Sequence, residues 1–460
     1  MLTDIVERIA DDAGRGGEAR SARRIAGVIG RMITAGELPV GTRLPTVREL
    51  ASRLNVSPTT VSEAWHSLAA VGAIEARGRN GTYVRPPTGP GGPRRYRRIT
   101  EGPGHFELDL STGTPDPALL PELGPAVSRV GKQSLTSSYL DHPVLPALED
   151  ELRATWPFEP EAVTVVDGAM DAIDRVAQVV LRLGDRVVVE HPGFPPMLDL
   201  LDQMGCSVVG VDMDTDGPTV AGMRDALAGG DVRAVILQPR AQNPAGARLT
   251  VGRAKALADV IAGSDAVVVE DDHANDISTA RLVSLGTWLA GRTVHVRSYS
   301  KSHGPDLRLA AVGGAGDVVT AVANRRLLGP GWSSRILQAL LLELLQDPAT
   351  PDVMARARDA YRHRRALVSD VLTSSGVHVS GVDGINLWMR VGDERSAAVA
   401  LAARGIGVAP GAPFFVRPDD DHLRVTVGLL TGPDDHVREI ATHLAHAARR
   451  PPSRQTHHHR

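Results

Sequence analysis

The 460-residue chain is too long for one hydrophobic core, and its 42% hydrophobic and 23% charged content is that of a soluble globular protein made of several compact units. A net charge of -3 excludes a chain that is basic throughout, so any grip on nucleic acid has to be local, and the single cysteine, Cys206, excludes a disulfide framework and a cysteine-based zinc cluster. No run is long and apolar enough to span a bilayer and the opening residues lack the basic-then-apolar order of a signal peptide, so a cytoplasmic location, no membrane partner and no metal site are expected.

Residues 1–20 are polar and rich in glycine and read as a flexible arm. From Ala22 the pattern is helical, with Ile25, Val28, Ile29, Met32 and Ile33 on one face and Gly36 closing the run. Thr46 is placed to cap a second helix through Val47, Leu50, Ala51 and Leu54. Ser57 caps a third helix that starts at Pro58 and runs to Val71, where Gly72 stops it. Ile74–Ala76 and Thr82–Val84 then flank a glycine-bearing, basic tip, Gly78-Arg79-Asn80-Gly81, and read as a hairpin. Three helices followed by a hairpin make a winged helix-turn-helix over residues 21–84. The run from Gly36 to Ala51 resembles the GntR family of bacterial regulators. The resemblance implies operator DNA as partner: Arg48 would hold phosphate, Ser57 would be among the DNA-binding residues, Thr59 and Thr60 at the start of the third helix would meet the major groove, and Arg79, Asn80 and Gly81 would lie along the backbone or minor groove. Pro58 stands where that family usually has arginine, so one expected contact is missing.

Residues 85–107 read as a linker in which proline keeps the chain extended and glycine breaks its stiffness. Its arginines, Arg94, Arg95, Arg97 and Arg98, are either a solvated run or a salt-sensitive phosphate grip. From Leu108 short apolar strands alternate with amphipathic helices. The strand candidates are 163–166, 186–190, 207–211, 234–237, 266–269 and 294–298, and they predict a mainly parallel sheet covered by helices, with ligands at the carboxyl ends of the strands. The residues that follow those ends are the candidates. Asp167-Gly168-Ala169-Met170 opens a helix at which an anion can approach the backbone amides. Phe194, between prolines, can stack on a flat heterocycle. Gln242-Asn243-Pro244-Ala245-Gly246 follows the fourth strand, and the fifth ends on Glu270-Asp271-Asp272-His273. Last comes Lys301. Only Lys132 and Lys255 accompany it in the whole chain, while arginine is abundant, and lysine can lose its proton and attack a carbonyl where arginine cannot. Ser298 and Ser300 add hydroxyls and Arg308 a fixed charge for the same anion.

This order of signals resembles the fold-type I aminotransferases, which bind pyridoxal 5'-phosphate (PLP). The resemblance implies a PLP link to Lys301, a hydrogen bond from Asn243 to the cofactor's phenolic oxygen, and Asp271 against the pyridine nitrogen, where a buried carboxylate makes the ring an electron sink. It further implies that Arg424, in Leu423-Arg424-Val425-Thr426, grips a carboxylate, and that Tyr139 reaches the phosphate of a partner subunit in a homodimer, although Val144 replaces the usual glycine near it. His273 stands where a tyrosine is usual, Ala169 replaces a hydroxyl residue and Met170 a polar one. With the winged helix in front, the chain resembles the MocR subfamily of GntR regulators. The expected architecture is therefore α/β: a winged helix-turn-helix joined to an aminotransferase-like domain over 108–450, with a large mainly parallel sheet, a smaller C-terminal α+β part, and a tail over 451–460. The expected function is PLP-dependent transcriptional regulation in which an amino-containing effector displaces Lys301 by aldimine exchange. Two alternatives stand beside it: an active aminotransferase carrying a DNA-binding module, and a fold that has lost PLP and only dimerises.

Overall fold

The computed structural model describes residues 5–8, 21–34, 37–70, 73–85, 94–100, 106–133, 138 and 141–449. It divides into two compact units, one holding residues 1–94 with 181–187 and 198–208, the other holding the rest of the chain.

In the first unit, α1 (Ala22–Thr34), α2 (Val47–Leu54) and α3 (Pro58–Ala70) precede a hairpin of β1 (Ile74–Ala76) and β2 (Thr82–Val84). The apolar face of α1 is fully buried at Ile25 and Ile29, which meet Leu50, Val61 and Leu68 in one core. That burial supplies most of the stability of helices this short. α2 begins with a capping box: Thr46 Oγ1 accepts from Glu49 N at 3.2 Å, and the Glu49 carboxylate accepts from Thr46 N at 2.9 Å. α3 begins at Ser57, whose Oγ accepts from Thr60 N at 3.1 Å. Ile74 pairs with Val84 and Ala76 with Thr82, which leaves residues 78–80 as a short 3-10 turn at the tip of the wing.

The second unit contains a helix in the stretch the sequence read as an extended linker. α4 (Arg94–Thr100) forms there because arginines are good helix formers and Ile99 has an apolar seat to bury against. Farther on, β3 (Ala162–Val166), β4 (Arg186–His191), β5 (Ser207–Asp214), β6 (Gly217–Pro218), β7 (Val232–Leu237), β8 (Val267–Asp272), β9 (Thr293–Ser298) and β10 (Ala310–Gly314) form one sheet in the order β3-β10-β9-β8-β7-β4-β5-β6. All six expected strands lie in it. β7, β8 and β9 are parallel neighbours, whereas β10 runs antiparallel between β9 and β3. Valines at 188, 189, 268, 269, 294 and 296 are buried, as a sheet covered on both faces requires. A helix, α5 (Ala169–Val180), follows β3 directly.

The C-terminal part packs α6 (Thr350–Ser374) and α7 (Asp434–Ala448) on a four-stranded sheet of β11 (Val379–Ser380), β12 (Leu387–Arg390), β13 (Ala409–Pro410) and β14 (His422–Val425), ordered β11-β12-β14-β13. Among the described residues no helix is long and apolar enough to cross a membrane.

Candidate functional site

Lys301 stands in the turn just past β9, half-buried. Its amine is pushed down to about 8, chiefly by burial, with Asp271 pulling the other way and Arg424 adding to the depression. Asp271, on the neighbouring strand β8, is 2% exposed. Burial pushes its carboxyl up to about 6 against the opposing effects of the Gln238 hydrogen bond and Lys301. Gln238 Nε2 donates to Asp271 Oδ2 at 2.7 Å, while Oδ1 is buried with no hydrogen-bond partner among the described residues. The same glutamine accepts from Asn243 N at 2.8 Å, so one side chain just past β7 fixes both the aspartate and the loop that carries Asn243.

His273 is held by a different contact. Its Nε2 lies 2.9 Å from the Ala241 carbonyl oxygen, which can only accept, so Nε2 carries the proton and the buried Nδ1 is a bare acceptor without a partner among the described residues. Burial first and Lys301 second push this imidazole down to about 3. It therefore stays neutral and offers an acceptor where a tyrosine would offer a donor. The Ala241 loop is fastened by a buried bidentate pair in which Arg240 donates to Asp272 at 2.8 and 2.6 Å.

The candidate anion end lies between β3 and α5. Gly168 has φ +107°, and a Cβ there would meet Arg308 Nη2 at 2.7 Å. Only glycine lets the guanidinium and the first amides of α5 share that space. Arg308 is itself left-handed at φ 49° and donates to Asp167 O at 3.3 Å. Buried Arg326 ties the loop down through Asp167 at 3.1 Å and Asp171 at 3.0 Å. Ser298 is buried with its Oγ 3.4 Å from Ser300 N, and Ala169 and Met170 are half-buried in the first turn of α5. Phe194 is half-buried, and its neighbour Gly193 donates its N–H to Phe414 O at 2.8 Å.

Arg424, on β14, is 4% exposed and has no carboxylate partner among the described residues. Nη1 donates to Asn243 Oδ1 at 3.4 Å, Nη2 donates to Ser111 O, and Nε has no partner among the described residues. Its guanidinium lies over the Phe414 ring at 5.3 Å. Burial pushes it down to about 10, opposed by Tyr96 and Asp109. A desolvated cation with an open donor is built to take an anion.

The seven DNA candidates lie in the first unit. Arg48 projects exposed from α2, Thr59 is exposed and Thr60 half-buried in the first turn of α3, and Asn80 is exposed at the wing tip beside the backbone of Arg79. Ser57 caps α3, so its hydroxyl already serves the helix. Gly81 has φ +101°, and a Cβ there would meet Arg43 Nε at 2.8 Å. Tyr139 lies outside the described residues.

Sequence reading missed Gln238, Arg240, Ser111 and Glu190. The first two stand immediately after β7, at the strand end that already marked Asn243, and that position was the available signal. Ser111 acts through its carbonyl, which no residue type announces. Glu190 is buried near the end of β4, and burial, with Asp271 adding, pushes its carboxyl up to about 8.

A lysine past a strand end, an orphaned carboxylate oxygen on the adjacent strand and a helix N-terminus closed by glycine and arginine define an aminotransferase-type site, here in a chain that also carries a winged helix. The chain belongs to the aminotransferase class I and II family, whose model matches residues 107–444, and residues 21–84 match the bacterial regulatory proteins of the gntR family. It is 35% identical to the vitamin B6 salvage pathway transcriptional repressor PtsJ of Salmonella typhimurium, over 94% of this chain and 100% of that one. It is 29% identical to the transcriptional regulator TauR of Rhodobacter capsulatus, over 87% and 90% of the two chains. With the pyridoxine biosynthesis regulator PdxR of Corynebacterium glutamicum the identity is 26%, over 91% and 94%. Among solved structures, an archaeal alanine:glyoxylate aminotransferase shares the fold at TM-score 0.69 and 22% identity, covering 77% of this chain and 93% of that one. An α-aminoadipate aminotransferase of Thermus thermophilus does so at 0.69 and 23%, covering 77% and 94%.

Proposed function

We propose that this MocR-like regulator binds operator DNA through its winged helix and senses a small amino-containing effector at a PLP site centred on Lys301. The observation that carries the reading is the pairing of Lys301, whose neutral form is favoured by burial, with Asp271, whose Oδ1 is buried and unpartnered among the described residues. These residues fit PLP. Asp271 Oδ1 would take the protonated pyridine nitrogen, Arg308 and the N-terminus of α5 would take the phosphate, and Asn243 would face the phenolic oxygen. When bound, PLP supplies a carbonyl carbon for which Lys301 and an incoming amine compete. Met170, Ala169, Ser298 and Ser300 would line the phosphate end, and Phe194 the ring face. Arg424 would take a carboxylate on the effector, since its Nε is open and its charge is desolvated.

The names of PtsJ, TauR and PdxR as transcriptional regulators favour regulation over turnover, as does the winged helix. We assign the protein to a cytoplasmic homodimer, as the resemblance to the aminotransferases implies. The test is a mobility shift on the DNA upstream of the protein's own gene, with PLP-loaded protein, ω-amino carboxylates and matched alkylamines. At least one amino carboxylate is expected to change DNA affinity about fivefold or more, and Arg424→Met should abolish the response. Sustained conversion of amino donor and keto acceptor, with DNA affinity unmoved, would establish the enzyme instead.

A further inference from the structure

The surroundings of Arg424 reach beyond the site. On β14 it pairs with Trp388 of β12 on one side and with Ala409 of β13 on the other, and Phe414 lies beneath its guanidinium. Those three residues, Trp388, Ala409 and Phe414, form one buried apolar cluster, and its fourth member is Ile99 of α4. The Trp388 and Phe414 rings meet edge to face at 5.5 Å, so a shift of either is felt by the other. α4 is fastened at a second point, where Arg95 Nη1 donates to Phe415 O at 2.7 Å. Tyr96, one residue on, lies close enough to act on the charge of Arg424. The chain that leaves α4 then supplies Ser111 O to Arg424 Nη2, places Gly113 beside Nη1 and bonds Gly113 N to Thr426 Oγ1 at 2.9 Å. Both the helix and the chain after it thus seat the same guanidinium.

We infer that Ile99 and Arg95 are positioning residues for the Arg424 carboxylate site, so that docking of α4 and binding of a carboxylate-bearing effector favour each other. The inference rests on the effector reading of Arg424 given above. Its consequence is regulatory: only residues 85–93 stand in the sequence between the end of the wing at Val84 and the start of α4 at Arg94, so α4 is the first described element after the wing. Coupling of this kind is reciprocal, so whatever loosens α4 weakens the effector, and the effector holds α4 in place.

The test uses full-length, PLP-loaded protein: wild type, Ile99→Asp, Ile99→Val and Arg95→Ala. The shift of the bound cofactor's absorbance is titrated with ω-amino carboxylates of two to six carbons and with matched n-alkylamines. Ile99→Asp and Arg95→Ala are expected to weaken the best carboxylate about fivefold or more while leaving the alkylamine within about twofold, and Ile99→Val should restore the wild-type ratio. Trypsin should also cut faster among Arg94, Arg95, Arg97 and Arg98 in Ile99→Asp than in wild type, and saturation of wild type with the carboxylate should slow that cleavage. Equal weakening of both ligand classes reduces the role to general packing and overturns the inference, as do unchanged affinities for both. If wild type responds to neither class, the effector reading itself has failed and this inference falls with it. Arg95→Ala, which removes the part-buried hydrogen bond to Phe415 O, keeps the test decisive should Ile99→Asp fail to fold.

Discussion

Lys301 is held where its uncharged form is favoured. Its folded pKa of about 8 lies below the ordinary 10.5, so its contribution to stability is complete only above pH 10.5 and is lost as pH falls through 10.5 toward 8. At neutral pH the ammonium therefore destabilises the cofactor-free protein, by about 1–2 kcal/mol once partial exposure is allowed for. Lys301→Met should raise the melting temperature of cofactor-free protein by about 2–4 °C at neutral pH, with the gain vanishing above the lysine's ordinary pKa. Calorimetry across pH checks this, and an unchanged or lower transition contradicts the burial of the amine. Asp271 and Glu190 work in the opposite pH direction. Their folded pKa values, about 6 and about 8, are raised, so the stability they confer is present below their ordinary values and is lost as pH rises through the folded ones. A cationic ring nitrogen against Asp271 Oδ1 would offset that loss, so PLP should raise the transition temperature more at pH 8 than at pH 5. Gly168 offers a separate test: with φ +107° and Arg308 Nη2 at 2.7 Å from a Cβ, Gly168→Ala is expected to weaken PLP about tenfold or more in an absorbance titration.

The DNA-binding elements are short, and their ends are held by side chains. Thr46→Ala removes the capping box of α2 and should cost about 1 kcal/mol, read as a lower transition for the winged helix within the full chain. Arg48, exposed on α2, is assigned to phosphate, so Arg48→Ala should weaken binding similarly for all DNA sequences and lower the slope of log affinity against log salt by about one. A loss confined to one sequence would instead make Arg48 a base reader. The elements most legible in the sequence are those with strong local signals: the three helices with their caps, the wing, and six valine-rich strands. β10 escaped because Ala310–Gly314 is small and featureless, and its place between β9 and β3 is decided by pairing alone. α4 escaped because its seat on Trp388, Ala409 and Phe414 is about three hundred residues away in the chain. In the site, Lys301 and Asn243 could be picked out because each follows a strand end, Asp271 because carboxylates close its strand, and Arg308 because a fixed charge comes soon after the lysine. Gln238 shares that position immediately after β7, but a glutamine announces neither the carboxylate nor the amide it joins.

At the scale of the molecule, regulator and enzyme share the same lysine, so the motif does not separate them. The winged helix and the relatives named as transcriptional regulators favour signalling. A homodimer is expected in solution, and sedimentation equilibrium of PLP-loaded protein should give twice the 48.7 kDa chain mass; a monomer at micromolar concentration contradicts sites completed across an interface. The central claim, that PLP binds through Lys301, is tested most directly by the visible absorption spectrum of purified protein mixed with PLP, for wild type and Lys301→Ala. A long-wavelength band is expected in wild type that Lys301→Ala lacks. The same spectrum in both proteins, equal to that of free PLP, would contradict it and leave a DNA-binding protein whose large unit senses something else.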